Sequence, residues 1–290
     1  MAGTSEADPQ QAGLQQVATM LVEHGPALVL TGAGMSTGSG IPDYRGPDGT
    51  RRVRPMDYSE FIGSSEARQR YWARSYVGWR RFHAARPNDA HHLVTRLQDR
   101  GAVGPVITQN VDGLHQAAGT REVVELHGNL GEVVCLTCGA RVDRRLLDER
   151  MTAENPGFDV DSDEIRPDGD VRLEAVDVAR FRTPRCRRCG ADTLKPDVVF
   201  FGGSVAKPLV EHCFALTEDA RSLLVLGSSL QVMSGLRFVR RAAKRGIPVG
   251  LVTRGPSRGD DLVDHRVDGE LVPSLRVLAE ELDRAGAPTP

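Results

Sequence analysis

The chain has 290 residues, 40% hydrophobic and 26% charged, with a formal net charge of -2. That composition belongs to an ordinary globular protein with room for one large domain and a smaller one. It offers no basic field for nucleic acid or an anionic membrane, and no apolar run approaches the roughly 18 residues that span a bilayer.

Residues 1–12 read as a disordered terminus. Met1–Gln11 lacks the basic flank and apolar stretch of a signal peptide, so the chain is expected to be cytoplasmic. Ala27–Thr31 reads as a buried strand running into a glycine-rich turn that opens a helix. Arg45–Arg86, rich in Arg, Trp and Tyr, reads as a long loop leading into helical cover. Asn88–Arg100 has helical spacing, with Leu93 and Leu97 on one face. Gly104–Thr108 is a second strand, Gln109–His115 a loop and Val123–Leu126 a short third strand. Asp197–Phe201, Ser222–Gly227 and Pro248–Thr253 are further strands. Helices are expected near Lys207–Ala220, Ser234–Arg245 and Ser274–Arg284, with Gly246 as a cap.

Apolar strands alternating with helices imply an α/β fold: a doubly wound, Rossmann-like parallel sheet with helices on both faces. Residues 13–45, 87–127 and 196–290 are assigned to it. Residues 46–86 form a cofactor loop and helical cover, and 128–195 a small inserted zinc-binding domain.

Five cysteines in such a chain argue against a disulfide framework. Cys135-Leu136-Thr137-Cys138-Gly139 is matched by Cys186-Arg187-Arg188-Cys189-Gly190. Each Cys-x-x-Cys knuckle lets two thiolates reach one metal from a tight turn. The four thiolates predict a closed, structural zinc site. A redox pair is disfavoured because there are two such pairs. Arg182, Arg185, Arg187 and Arg188 suit a nucleic-acid ribbon, but Asp161, Asp163, Glu164 and Asp168 share the segment, so the charges read as a solvated face.

After the first strand come Gly32, Ala33, Gly34, Met35, Ser36, Thr37 and Gly38. Backbone N–H groups of such a turn can face a pyrophosphate. The Gly-x-Gly-x-x-x-Gly spacing is one residue longer than the usual dinucleotide fingerprint, and no acidic residue stands where an adenine ribose would be held. A purely structural turn competes equally on that ground.

The longer string Gly32–Arg45 closely resembles the nucleotide loop of sirtuins. So do Thr108-Gln109-Asn110-Val111-Asp112, Leu126-His127-Gly128, Lys195–Gly202 and Gly227-Ser228-Ser229-Leu230, in the family's order and with both knuckles in place. Pro42–Arg45, Arg70–Arg74, Pro167–Val171 and Gly255–Leu262 resemble its class II branch. The resemblance implies an NAD-dependent protein-lysine deacylase that consumes NAD, releases nicotinamide and free lysine, and leaves the acyl group on ADP-ribose. It implies that Gly32, Ala33, Gly34, Ser36, Ile41, Pro42, Asp43, Tyr44 and Arg45 wrap the pyrophosphate and nicotinamide. Gln109 and Asn110 would hold the nicotinamide ribose, and Asp112 the nicotinamide amide, with Ile41 packed on its ring and Val111 among the cofactor contacts. Gly227, Ser228, Ser229, Thr253, Arg254, Gly255 and Asp268 would hold the adenosine side. His127 is implied as the base, with Asn110 beside it among the catalytic residues. His115 reads as packing. Val198–Gly202 is expected to form an extended edge to which an acylated peptide adds as a strand, with Val199, Phe200, Gly202 and Val232 contacting substrate.

Three departures stand out. Gly203 replaces a common glutamate, and Thr253 a common asparagine. Ala67, Tyr71 and Arg74 approach, with different spacing, the set that reads acidic acyl groups, so desuccinylation is not expected. ADP-ribosyl transfer or NAD hydrolysis at the same site, and a non-catalytic NAD-sensing zinc-ribbon module, remain as alternatives.

Overall fold

Short runs such as Ala-Leu-Val-Leu-Thr carry no polar alternation because both faces of each strand are covered, and the computed structural model shows how. It describes residues 9–46, 48–162 and 166–285. The acidic Asp163 and Glu164 of the insert lie outside the described residues.

In chain order, helix α1 (Pro9–His24) leads into β1 (Ala27–Thr31). Helices α2 (Tyr58–Gly63), α3 (Ser65–Ala84) and α4 (Asp89–Asp99) follow, then β2 (Val103–Thr108), α5 (Leu114–Ala117) and β3 (Val123–Glu125). Next come β4 (Gly128–Cys135), β5 (Arg141–Asp143), α6 (Arg144–Glu154), α7 (Ala175–Arg180) and β6 (Leu194–Val198). The chain ends with α8 (Lys207–Asp219), β7 (Leu223–Leu226), α9 (Met233–Lys244), β8 (Val249–Thr253), β9 (His265–Asp268) and α10 (Leu271–Arg284).

Six strands form one parallel sheet in the order β3-β2-β1-β7-β8-β9. Alternate side chains of each strand enter opposite cores. Val29, Leu224 and Val252 face α1, α4 and α10. Leu30, Val225 and Leu251 face α8 and α9. Helix α10 meets the sheet with Leu271, Leu275, Leu278 and Leu282, the spacing of one helical face. Asn88 caps α4: its side chain accepts from Ala90 N–H at 2.8 Å, and its own N–H donates to His91 Nδ1 at 3.3 Å.

Two expectations change. Disorder does not extend through residue 12, because helix α1 already begins at Pro9, and Leu14, Val17, Ala18 and Leu21 bury against the sheet and α10. The strand expected at Asp197–Phe201 lies at Leu194–Val198 and is not in the large sheet. It pairs antiparallel with β4 in a three-stranded sheet of order β5-β4-β6. That strand runs past residue 195, where the insert was expected to end.

The small sheet packs on an aromatic core from α3: Tyr71, Trp72 and Tyr76, with Phe61, Leu147, Met151 and Phe181. Arg144 is 1% exposed yet accommodated. Its guanidinium lies 4.5 Å from the Trp79 ring centre and 3.1 Å from Asp148, so ring face and carboxylate together replace its water.

The two knuckles have the same fold. Gly139 N–H donates to Cys135 O at 2.9 Å and Gly190 N–H to Cys186 O at 2.8 Å. Both glycines have positive φ, 70° and 73°, which a side chain would strain. All four Sγ atoms lie within 4.8 Å of one another, with Cys135–Cys189 at 3.6 Å and Cys138–Cys186 at 3.7 Å. A tetrahedron with Zn–S near 2.3 Å has edges of about 3.8 Å, so the donor set fits one structural zinc. Among the described residues no helix is long and apolar enough to cross a membrane.

The zinc site predicts one equivalent of metal per chain by elemental analysis. Cys186→Ser is expected to lose that metal and to lower the melting temperature, because metal binding and folding of such a module are coupled.

A second prediction comes from His91 and His115. Both are buried, with ring centres 5.0 Å apart. Burial pushes His115 down to about 4 and His91 to about 3 from 6.5. The unfolded chain therefore binds these protons first, and stability falls as pH drops from about 6.5 toward 4. The urea midpoint should decline over that window, and less steeply in His115→Gln.

Candidate active site

The six parallel strands end on one edge of the sheet. β1 is the switch point: β2 lies on one side of it and β7 on the other. Open α/β sheets bind ligands at such a point, and here a cavity of about 1180 Å³ opens between the strand ends and the small sheet.

Its floor depends on glycine. A Cβ on Gly32 would lie 2.7 Å from Ser228 Cβ, and one on Gly34 2.9 Å from Gly227 Cα. Gly34 N–H donates to Gly227 O at 2.9 Å. The loops after β1 and β7 thus touch backbone to backbone. After Gly32 the chain makes two single 3₁₀ turns, Ala33–Met35 and Thr37–Ser39, where a helix was expected.

A polar network sits above this floor. Asn110 Nδ2 donates to Gly32 O at 3.1 Å and to Ser36 Oγ at 3.0 Å. Ser36 Oγ donates to Asp112 Oδ2 at 2.6 Å, and Leu114 N–H to Asp112 Oδ1 at 2.9 Å. Burial raises the Asp112 pKa above the ordinary carboxylate value, and these two donors pull it back. Gln109 Nε2 donates to Thr31 O at 3.1 Å and Ser228 Oγ at 2.9 Å.

His127 follows β3. Thr108 of β2 pairs with Glu125 of β3, and Leu126 N–H donates to Thr108 O at 2.9 Å. This register puts Gln109 beside His127, whose Nδ1 lies 2.9 Å from Gln109 O. A carbonyl can only accept, so Nδ1 carries the proton. Burial is the main cause that lowers the ring's pKa; Gln109 O raises it in part, and Arg237 lowers it further. The neutral ring therefore has its lone pair on Nε2, 2.8 Å from Ser234 Oγ.

Across the cavity, Val199 N–H donates to His127 O at 2.8 Å. Residues 199–203 do not continue as an extended edge. Gly203 N–H donates to Phe200 O at 2.9 Å, and Phe201 O accepts from Tyr58 N–H at 2.8 Å, so the segment turns back. The Phe200 ring packs 5.2 Å from the Phe61 and Tyr71 ring centres while still lining the cavity. Lys195 Nζ, 4.7 Å from the Phe200 ring centre, donates to Pro196 O at 2.7 Å and Val198 O at 2.6 Å.

The structure brings nearly every expected site residue to this cavity, from Gly32 through Arg45, Gln109–Asp112, His127, Val199, Phe200, Gly202, Gly227–Ser229, Val232, Thr253 and Arg254. Gly255 and Asp268 do not line it. Gly255 N–H donates to Asp268 Oδ1 at 2.9 Å, and Asp268 faces Arg266 at 3.8 Å. Gly269, Glu270 and Leu271 form the wall there instead. Asp43 is 3.4 Å from Arg52, and Arg45 donates to Gly49 O at 2.8 Å, which ties the loop after residue 40 to itself. His115 is packed as expected, 1% exposed and 3.1 Å from Thr31 Oγ1. The zinc cysteines are not among the lining residues.

Sequence reasoning missed Asn88, Ser234 and Arg237, and it gave no site role to Tyr71 or to Asp168, which it read as part of a solvated face; all five are in the cavity wall. Asn88 had a signal, since an N-cap at the start of α4 places an amide there; it donates to Met35 O at 2.8 Å. Ser234 had none: a serine in the first turn of a helix looks like any other.

Comparison with known proteins agrees with this geometry. Residues 32–234 match the model of the Sir2 family. NAD-dependent protein deacetylase 1 of Streptomyces coelicolor is 54% identical over 259 residues, covering 89% of this chain and 86% of that protein. NAD-dependent protein deacylase Sirt4 of Drosophila melanogaster is 44% identical over 269 residues, covering 90% and 86%. A solved structure described as Sir2–p53 peptide–NAD+ superposes with a TM-score of 0.74 at 29% identity, covering 92% of this chain and 98% of that one.

Gly32→Ala should destabilise the chain by about 1–3 kcal/mol, the usual cost of forcing an extra methyl into a packed contact. A urea titration reads this as a lower midpoint, and dinucleotide affinity measured by calorimetry should fall with it.

Proposed function

This chain belongs to the Sir2 family, and from that premise we propose that it is an NAD-dependent protein-lysine deacylase whose base is His127. The observation that carries the assignment is the place of the His127 imidazole in the cavity wall, with Nδ1 held by Gln109 O and Nε2 left as the basic nitrogen. Such a ring can take a proton at neutral pH.

The residues present fit NAD. Two glycines leave a floor that a Cβ would fill, and the volume exceeds the roughly 300–1,000 Å³ of a site for one small ligand. Bound NAD supplies an anomeric carbon whose bond to nicotinamide breaks, and a ribose hydroxyl that receives the acyl group. Gly32, Ala33, Gly34, Ser36 and Pro42–Arg45 would hold the pyrophosphate side. Gln109 and Asn110 would hold the nicotinamide ribose. Asp112, kept in place by Ser36 and Leu114, would accept from the nicotinamide amide, with Val111 and Ile41 packing on its ring. Gly227, Ser228, Ser229, Thr253 and Arg254 would hold the adenosine side. The wall at Gly269–Leu271 supports giving it the place first read at Gly255 and Asp268. His127 Nε2 then removes a proton from a hydroxyl presented in the cavity.

The acyl-lysine would enter between Val199, Phe200 and Gly202 on one side and Val232 on the other. The partner is an acylated lysine of a protein; with a net charge of -2, neither nucleic acid nor membrane is called for. Four thiolates kept for zinc suit the reducing cytoplasm.

A panel of acyl-lysine peptides incubated with NAD, with products identified by mass spectrometry, tests this. Nicotinamide, free lysine peptide and acyl-ADP-ribose are expected, and His127→Ala should slow lysine release by about 10²–10⁴-fold. Free ADP-ribose or ADP-ribosylated protein as the main product would assign the cavity to hydrolysis or transfer instead.

A further inference from the structure

The proposed base has its proton-accepting nitrogen already occupied. Ser234 Oγ stands 2.8 Å from His127 Nε2. With Nδ1–H committed to Gln109 O, Nε2 is the ring's basic site, and the serine hydroxyl donates into it. Ser234 lines the cavity together with His127, so its hydroxyl is within reach of both Nε2 and a group that the cavity holds.

Its place is set by close packing. Ser234 is the second residue of α9, in the first turn. The next residue, Gly235, would put a Cβ 2.5 Å from Gln109 Oε1. Lack of a side chain there lets the start of α9 press against Gln109, whose carbonyl orients the imidazole. The residues that supply both partners of His127, Gln109 and Ser234, are thus neighbours across the close approach of α9 to the Gln109 side chain. Arg237, one turn further along α9, is the charged group bearing on the ring among the described residues and opposes a positive imidazole, while Gln109 O favours it.

We propose that Ser234 is a catalytic proton relay between the substrate hydroxyl and His127. The hydroxyl's O–H bond breaks, its electron pair stays on oxygen, and its proton forms a new O–H bond on Ser234. In the same movement Ser234's own proton leaves Oγ and bonds to Nε2. The ring becomes imidazolium, with Nδ1–H on Gln109 O and Nε2–H on Ser234 Oγ. A hydroxyl serves both states because it can donate or accept by rotation, and its bond to the charged ring is the stronger of the two. The positive charge, costly in a buried site, then has an acceptor at each nitrogen.

This inference rests on the deacylase reading, and rapid-quench kinetics separate the two. Nicotinamide release precedes the relay, and lysine release follows it. Ser234→Ala should keep nicotinamide release in a single turnover near the wild-type rate while slowing lysine release by about 10²-fold, the lower end for general acid–base catalysis. Ser234→Thr, which keeps the hydroxyl, should restore most of that loss. Should the alanine chain fold poorly, Ser234→Cys, with its weak S–H donor, should show the same split. Lysine release at the wild-type rate in Ser234→Ala overturns the relay, as does an equal fall of both steps in a variant with a normal melting temperature. If the wild-type chain releases no nicotinamide with any acyl peptide, the deacylase reading itself fails and the relay goes with it.

Discussion

The hydrogen bond from His127 Nδ1 to the carbonyl of Gln109, 2.9 Å long, joins the fold to the chemistry. It exists because β2 and β3 are parallel and in register, so Gln109, one residue past β2, stands beside His127, two residues past β3. Backbone amides that continue the ladder, Leu126 N–H to Thr108 O and Gln109 N–H to Thr31 O, extend this alignment across β1. A slip of one residue would send the imidazole to the other face of the sheet. The apolar side chains that fix the register, Val106 and Ile107 on opposite faces, are fully buried. Ordinary core packing therefore sets the tautomer of a histidine.

The second wall of the cavity is made by a different kind of core. The small sheet is short, and its aromatic cluster is supplied largely by α3. The knuckles close the far end of β4 and precede β6, so the metal site pins the two strands whose other ends approach His127. Gly128 shows how tight that approach is, since a Cβ there would lie 1.9 Å from Asp197 O. Integrity of the zinc site and geometry at His127 are linked through two strands rather than through any direct contact.

Much of this was legible in the residues. Strands β1, β7 and β8 are short apolar runs because they are buried on both faces, and the knuckles and the glycine turn announce themselves by spacing. Other parts were hidden for physical reasons. β9 has one fully buried side chain, Val267, so no periodicity marks it. β6 was read three residues late. Its apolar neighbours Val199–Phe201 serve the cavity wall and the aromatic cluster, while the true strand contains a buried lysine made tolerable by two carbonyls. Helix α1 carries glutamines and a glycine near its start, which resemble a loose terminus until α10 and the sheet are there to cover its apolar face. Ser234 and Arg237 of α9, and Asp168, which reads from sequence as part of a solvated face, come from two distant stretches of chain that meet at the cavity only in three dimensions.

The orientation and charge of His127 are the most direct point of attack on the account. Nitrogen-15 spectra of histidine-labelled protein, with the signals of this residue identified by their loss in His127→Ala, report the protonation of each ring nitrogen. At neutral pH the ring is expected to be neutral, with hydrogen on Nδ1 and none on Nε2. A ring protonated at Nε2 alone, or at both nitrogens, would contradict it.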